Sequence, residues 1–533
     1  MIDRTSKVHI YILDNSKYGA YVRQRQDISF HIISLSEAIP TVIILPKIIR
    51  EILDSRSLGN PALLKMGTVD FNSPVYTCRS ANSLTNYSTI YVGLVVDCVL
   101  DSAILGEKAA ELVAAWPVLG GILLKNTKPW SFTCGATVDF AARTVDQSLS
   151  SYLSLDWEYK NEPTILQTEE PSEVDKKFIF DICFNSTTIF KLRVTTLTDT
   201  TLLCFGITHH LCDGTDCYEV VQAFCNLLSN KPIPRFVLPP DAEDILLSHT
   251  MTVKAKCTEE ESNIYYKNHA ENLDSGIFKL GRLLWRVLLT NIAEKLMLAE
   301  RLTTKFIHVP GSWVDELRAK SQVELHQSST DIEITRNDIL AAWYLKTIYS
   351  PQNSSQHSVD YYGPINYRPF ISPPKAGTYY IHNSVGVIRC KFSVHQLQRE
   401  SITTIARDIR RQTLLYASPA SVEQYLRFSE NHSTRALALS ARRGGNLALV
   451  GLSQWTTFNY TDLDFSGASL QGQKATVIFV NPAVTIPFNL TVGPMIIIEK
   501  NGTGGYWIRA SNTSSGWKTF SHSSKIENLF RTQ

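Results

Sequence analysis

The 533-residue chain reads as an α/β protein built from two halves of similar size. Three observations lead there. Its length exceeds what one hydrophobic core organises, so two or three domains are expected. Runs rich in Val, Ile and Tyr alternate with amphipathic helical stretches in both halves, the pattern of mixed α/β architecture. Between the halves, residues 241–300 change character: a polar, charged run gives way to GIFKLGRLLWRVLLTNIAEKLMLAE, a helical and partly apolar stretch. A flexible linker would lack that apolar helix, so the segment reads as a crossover between a domain at 1–240 and a domain at 301–533. No fixed-period repeat is visible, which sets aside solenoids and propellers.

The elements follow in order. YSTIYVGLVVDCVL (87–100) is a buried strand by its β-branched and aromatic content. DSAILGEKAAELVAAWPVLGG (101–121) is a helix with Ala109, Leu112, Val113 and Trp116 on one face, ended by Pro117 and a glycine pair. FIFDICFN and TIFKLRVTTL are expected as two strands separated by a polar turn, and TTLLCFGITHH as a third. In the second half TRNDILAAWYLKTIY is helical, while ATVIFV, GPMIIIEK and GGYWIRA are strands, the last two joined by NGTGG.

Composition narrows the function. A formal net charge of +2 gives no global electrostatic case for nucleic acid or an anionic membrane. The opening MIDRTSKVHIYILDNSKYG lacks the apolar core of a signal peptide, and no 18-residue apolar run follows, so a cytoplasmic protein is expected. Without a secretion signal, the Asn-x-Ser/Thr triplets at Asn86, Asn185 and Asn489 are chance matches. Ten cysteines are scattered with no CxxC pair, which argues for free thiols and against structural zinc.

One stretch concentrates chemistry: HHLCDG, 209–214. Leu203, Phe205, Ile207 and His209 share one strand parity, so His209 follows core-facing residues and His210 falls on the other face or in the turn. Gly214 supplies conformational freedom for a sharp turn. Asp216 and Glu219 have capping-box spacing, and Val220, Val221, Phe224, Leu227 and Leu228 give the next helix an apolar face. The motif thus sits on a strand–loop–helix corner. A satisfied buried His–Asp pair is one reading. Zinc is a weaker one, because adjacent histidines on a strand point apart. General-base catalysis fits the imidazole, which can take a proton from a hydroxyl near neutral pH.

A second stretch, SQWTTFNYTDLDFSGA (453–468), lies far downstream. Together with His209-x-x-x-Asp213-Gly214 it resembles the BAHD superfamily of coenzyme A-dependent acyltransferases, which carries HxxxDG near mid-chain and DFGWG near the C-terminus. AWPVLGG (115–121), TRNDILAAW (335–343) and INYRPFISPPKAGTYYIHNSVG (365–386) resemble further landmarks of that family in the right order, with Arg368 and Asn383 at matching places. In DFSGA, Asp464 and Phe465 match while Ser466, Gly467 and Ala468 depart, and the chain is most similar to divergent fungal members of the trichothecene acetyltransferase type. Condensation domains of peptide synthetases carry HHxxxDG instead. Here the residue before His209 is Thr208, which favours the stand-alone enzyme.

The resemblance implies two chloramphenicol acetyltransferase-like domains with an active-site tunnel between them. It implies a monomer that transfers an acyl group, acetyl by frequency, from a coenzyme A thioester to a hydroxyl or amine of a small secondary-metabolite acceptor. Acyl-coenzyme A is then a co-substrate, with no resident cofactor and no metal. His209 is the implied general base. Ser453 and Trp455 line the site, with the indole N–H reaching the oxyanion. Asp213 turns away to pair with Arg368, and Asp464 and Phe465 belong to a supporting loop. Two other classes stay open at this point: a repurposed member that binds a metabolite and templates a cyclisation, and a non-catalytic binding protein.

Overall fold

Long runs of β-branched and aromatic residues without alternation make strands buried on both faces, and such strands dominate both sheets. The computed structural model describes residues 74–77, 88–125, 127, 130–153, 161–166, 171–181, 187–237, 303–328, 330–349, 358–370, 377–381, 383–418, 421–422, 447–485, 495–523 and 529–530. The strands of its two main sheets are β1 (Thr89–Val96), β2 (Asp139–Thr144), β3 (Thr164–Ile165), β4 (Phe190–Thr196), β5 (Thr201–Thr208) and β6 (Thr303–Val309). In the second half they continue with β7 (Ser358–Asn366), β8 (Val385–Ser393), β9 (Leu447–Gln454), β10 (Val477–Thr485), β11 (Met495–Lys500) and β12 (Tyr506–Asn512). The helices that matter here are α1 (Ser102–Ala115), α2 (Pro171–Phe178), α3 (Gly214–Leu228), α4 (Gly311–Gln327), α5 (Arg336–Tyr349) and α6 (Ile402–Tyr416).

The first sheet has the order β10-β1-β5-β4-β2, antiparallel except for the parallel β4–β2 pair. All eight residues of β5 are buried, so strand parity alone does not separate an inner from an outer face. α1 buries Leu105, Ala109, Leu112 and Val113, and Phe224 of α3 meets Phe205 of β5 edge-on at 5.4 Å. The described part of one expected strand, residues 178–181 of FIFDICFN, is not extended, and the rest of it lies outside the described residues. The Phe178 that opens FIFDICFN ends α2 instead, and Ile179–Asp181 are irregular. Val174 and Phe178, four apart within SEVDKKF, share a helical face, and both are buried. The Phe178 ring occupies the space above Gly93, 2.8 Å from where a Cβ would stand, so this helix crosses β1 at its one residue without a side chain.

The second sheet has the order β8-β7-β9-β11-β12-β6-β3. TRNDILAAWYLKTIY forms α5, and every residue from Asp338 to Tyr349 is buried because α4 and α6 flank it. The NGTGG turn closes the antiparallel β11–β12 pair, with Gly504 at φ 85°, a backbone that favours glycine. Two apolar cores result. One holds β1, β4, β5, α1 and α3 together with Trp455, Phe465, Phe479 and Trp507, and the other holds α4, α5, α6 and the far face of the second sheet.

The two halves trade strands. β10, from the second half, pairs with β1 at the edge of the first sheet, while β3, from the first half, adds to β6 at the edge of the second. Arg509 of β12 reinforces the junction, donating to both carboxylate oxygens of Asp175 on α2 and to Asn481 on β10. Asp70–Gln533 forms one compact unit. The crossover at 241–300, the N-terminal stretch and the triplets at Asn86, Asn185 and Asn489 lie outside the described residues. Among the described residues no helix is long and apolar enough to cross a membrane. Cys98, Cys134, Cys204, Cys212, Cys217, Cys225 and Cys390 are free thiols, and the other three cysteines are not among the described residues.

Candidate active site

β5 ends at Thr208, and α3 begins at Gly214, so HHLCD is the turn between them. The helix starts one turn earlier than the Asp216–Glu219 spacing suggests. Asp213 is the N-cap: its Oδ1 accepts from the N–H groups of Thr215 (2.9 Å) and Asp216 (3.3 Å), and Asp216 Oδ2 accepts from the Asp213 N–H (3.1 Å). An aspartate in the third helical position completes this box as a Glu or Gln more often does. Gly214 is needed for room rather than for turning. A Cβ there would stand 3.1 Å from the Phe458 ring and 3.5 Å from Trp455.

His209 is half-buried and anchored by its backbone. Its N–H donates to the Ser88 carbonyl (3.0 Å) and its C=O accepts from Asn383 Nδ2 (3.2 Å). Its ring Nδ1 lies 2.8 Å from the Cys212 carbonyl oxygen. A carbonyl can only accept, so Nδ1 carries the proton and the basic lone pair of the neutral ring is on Nε2. Desolvation lowers the His209 pKa below its ordinary value, against the opposing pull of the Cys212 carbonyl and the Asp213 charge. His210 diverges, buried at 3% exposure with its ring 4.7 Å from Trp130. Among the described residues no group of His, Cys, Asp and Glu could hold a metal ion.

The Asp213 carboxylate is taken up by the second half of the chain. Arg368 Nη1 donates to both of its oxygens (2.9 and 2.7 Å), and the Ser384 N–H donates to Oδ2 (2.9 Å). Arg368 Nη2 reaches Asp216 Oδ1 (2.8 Å), which also accepts the Tyr379 hydroxyl (2.6 Å). Burial pushes the Asp216 carboxyl up to about 7, while Arg368 and Tyr379 favour its charged form. One guanidinium thus ties two carboxylates at the start of α3 to the 366–384 stretch. Tyr379 and Ser384 did not stand out in the sequence, and Asp216 did so only as a capping residue, because their partners across the molecule lie more than 150 residues away.

Ser453 and Trp455 close the other side. Ser453 is on β9 beside Ile497 of β11, and the Trp455 N–H continues that ladder to the Ile498 carbonyl (2.8 Å). The Trp455 indole N–H donates to Ser453 Oγ at 3.0 Å, so in this conformation the indole proton is engaged by the serine rather than presented to a reacting group. Trp455 packs against Phe458 and Tyr460, with ring centroids at 5.7 and 6.2 Å, and Phe458 stacks on Tyr218 of α3 at 5.6 Å. This aromatic cluster brings the 453–460 stretch against the first turns of α3. Its signal in the sequence was the run of rings at 455, 458 and 460.

DFSGA holds the opposite end of the same helix. Phe465 is fully buried with its ring 6.4 Å from Phe224, and a Cβ on Gly467 would stand 2.0 Å from the Leu228 carbonyl oxygen. Asp464 accepts from the Ser466 N–H (2.9 Å) and from the Ser466 hydroxyl, and these bonds lower its pKa.

No family model matches the chain. It is 44% identical over 481 residues to acetyltransferase peniE of Penicillium patulum, a span that is 86% of this chain and 99% of that protein. The structure of F. sporotrichioides TRI101 complexed with coenzyme A and T-2 is similar at a TM-score of 0.57 and 11% identity, covering 86% of this chain and 98% of that one. Vinorine synthase is similar at a TM-score of 0.57 and 12% identity, covering 87% of this chain and 95% of its own. These two likenesses show the shared acyltransferase fold.

Proposed function

The chain belongs to the BAHD superfamily of acyltransferases, and from that premise we propose that it moves an acyl group, acetyl by preference, from a coenzyme A thioester to a hydroxyl or amine of a small secondary-metabolite acceptor. His209 is the general base. Its Nε2 takes the acceptor proton as the acceptor oxygen or nitrogen attacks the thioester carbonyl carbon. The new bond forms while the carbonyl π pair moves to oxygen, giving a tetrahedral oxyanion. On collapse the carbon–sulfur bond breaks, and the imidazolium returns the proton to the coenzyme A sulfur. Atoms and charge balance without a resident metal.

The observation that carries this reading is the Nδ1–H to Cys212 carbonyl bond, which aims a neutral, basic Nε2 from a rigid corner. A depressed pKa keeps that ring unprotonated at neutral pH and ready to hand its proton on. Ser453 serves the oxyanion. Because its Oγ accepts the Trp455 indole N–H, its own hydroxyl proton is left to donate, and Trp455 holds the oxygen in place. Asp213 is structural. The same reading takes the tunnel to lie between domains at 1–240 and 301–533.

Direct attack predicts no acyl-enzyme. Intact-protein mass spectrometry after incubation with acetyl coenzyme A and no acceptor should show the unmodified mass. A stable acetylated species that forms and decays at the turnover rate would contradict the mechanism.

A further inference from the structure

One face of the second sheet looks toward the first core and carries a carboxyl that the mechanism above leaves unused. On β11, Ile497 and Glu499 share that face, and the register sets Ser453 beside Ile497 and Trp507 opposite Glu499. Trp455, two residues past Ser453 and bonded to the Ile498 carbonyl, falls in the row of Glu499. Core membership agrees: Trp455, Ile497 and Trp507 pack in the first core, while Ile498, Tyr506 and Ile508 pack in the second. Glu499 therefore stands between two tryptophans, one strand from the indole that holds Ser453.

Glu499 is 1% exposed, and neither carboxyl oxygen has a hydrogen-bond partner among the described residues. No charged side chain among the described residues around it is hydrogen-bonded to its carboxyl oxygens. Tyr460, fully buried against Trp455, interacts electrostatically with Glu499, with Cys217 of α3 and with Cys212 of the turn before it. His308 lies past Trp507 on β6, and desolvation keeps its imidazole neutral, lowered to about 4. Arg509, one row away, is engaged by Asp175 and Asn481. Lys500 alternates to the other face and donates to Asn459 (3.2 Å), while its backbone N–H and its charge favour the ionised Glu499. Burial disfavours the carboxylate against the neutral acid and outweighs the pull of Lys500, so this carboxyl is raised well above the usual range.

We propose that Glu499 is held as a neutral carboxylic acid behind Trp455, contributing nothing to turnover in that form, and that its ionisation switches off acyl transfer by setting a negative charge near the developing oxyanion. This rests on the roles given to Ser453 and Trp455 above. Like charges at the reacting centre raise the barrier, and a fall in kcat of about tenfold is expected as Glu499 ionises.

The test compares kcat against pH for wild type, Glu499→Gln and Glu499→Met, with denaturant midpoints for each. Wild type should lose activity on an alkaline limb. Both variants should keep kcat within about threefold at neutral pH and lack that limb. Met is included because replacing a buried carboxyl that lacks a side-chain partner with an apolar side chain of similar volume is tolerated, whereas Gln leaves a buried amide to satisfy.

Stability gives a second readout that needs no turnover. The unfolded chain ionises Glu499 near its ordinary value while the folded chain holds the proton, so wild-type stability falls as pH rises between the two values. Glu499→Met lacks that fall and should be the more stable protein at neutral pH. An alkaline limb unchanged in both variants, a folded variant inactive at neutral pH, or a Met variant less stable than wild type would each overturn the proposal. An inactive wild type showing the predicted stability difference would instead defeat the proposed function.

Discussion

Holding Nδ1–H on the Cys212 carbonyl leaves His209 neutral with Nε2 as its basic atom, and desolvation sets how far down the pH scale that state persists. Catalysis needs the unprotonated ring, so a lowered pKa moves the acid limb of kcat/KM below about 6.5, the ordinary value for histidine. A limb at or above that value would show that the Asp213 charge outweighs burial. The serine–tryptophan pair gives a second prediction. If Ser453 is the direct donor, Ser453→Ala should lower kcat about 10²–10³-fold. Trp455→Phe, which removes only the group holding that oxygen, should cost about tenfold. The reverse order in measured kcat would make the indole the direct donor. The sequence placed both residues on one face by their spacing. It did not carry the side-chain rotation that turns the indole N–H onto the serine, because parity sets a direction and not a rotamer.

At the scale of the element, α3 is the part on which the site depends. Its N-terminus is capped by Asp213 and tied across the molecule by Arg368, and its C-terminus is braced by Phe465 and Gly467. Asp213→Ala would take both Nη1 bonds from Arg368, leaving it Asp216 alone, and remove the cap, and should destabilise the protein by up to roughly 3–5 kcal/mol. Asp213→Asn keeps a capping oxygen and should lose less. Urea unfolding of the two variants checks the order, and equal losses would assign the whole effect to the ion pair. This helix was legible from its apolar spacing, but its start was read one turn late because two acidic residues, Asp213 and Asp216, could each cap it. The opening of FIFDICFN was misread for a related reason. Its first residue completes the apolar face of the preceding helix, and a short apolar run does not declare which element owns it.

For the whole molecule, five landmarks in order across residues 115–468 made the family legible, and the α/β class followed from alternating patterns in both halves. The exchange of β10 and β3 between the sheets was not legible, since local pattern identifies a strand and not its partner. That exchange, with the Arg509–Asp175 ion pair, interlocks the two halves. The central claim is that these halves together pass an acyl group from coenzyme A to an acceptor, with His209 as the base. Its most direct test is release of free coenzyme A thiol from acetyl coenzyme A, followed with acceptor-containing extract for wild type and for His209→Ala. The account predicts acceptor-dependent release by wild type and a fall of about 10²–10⁴-fold in a variant with unchanged circular dichroism and melting. Release retained at more than a tenth of wild type in His209→Ala, or no acceptor-dependent release by either protein, would contradict it.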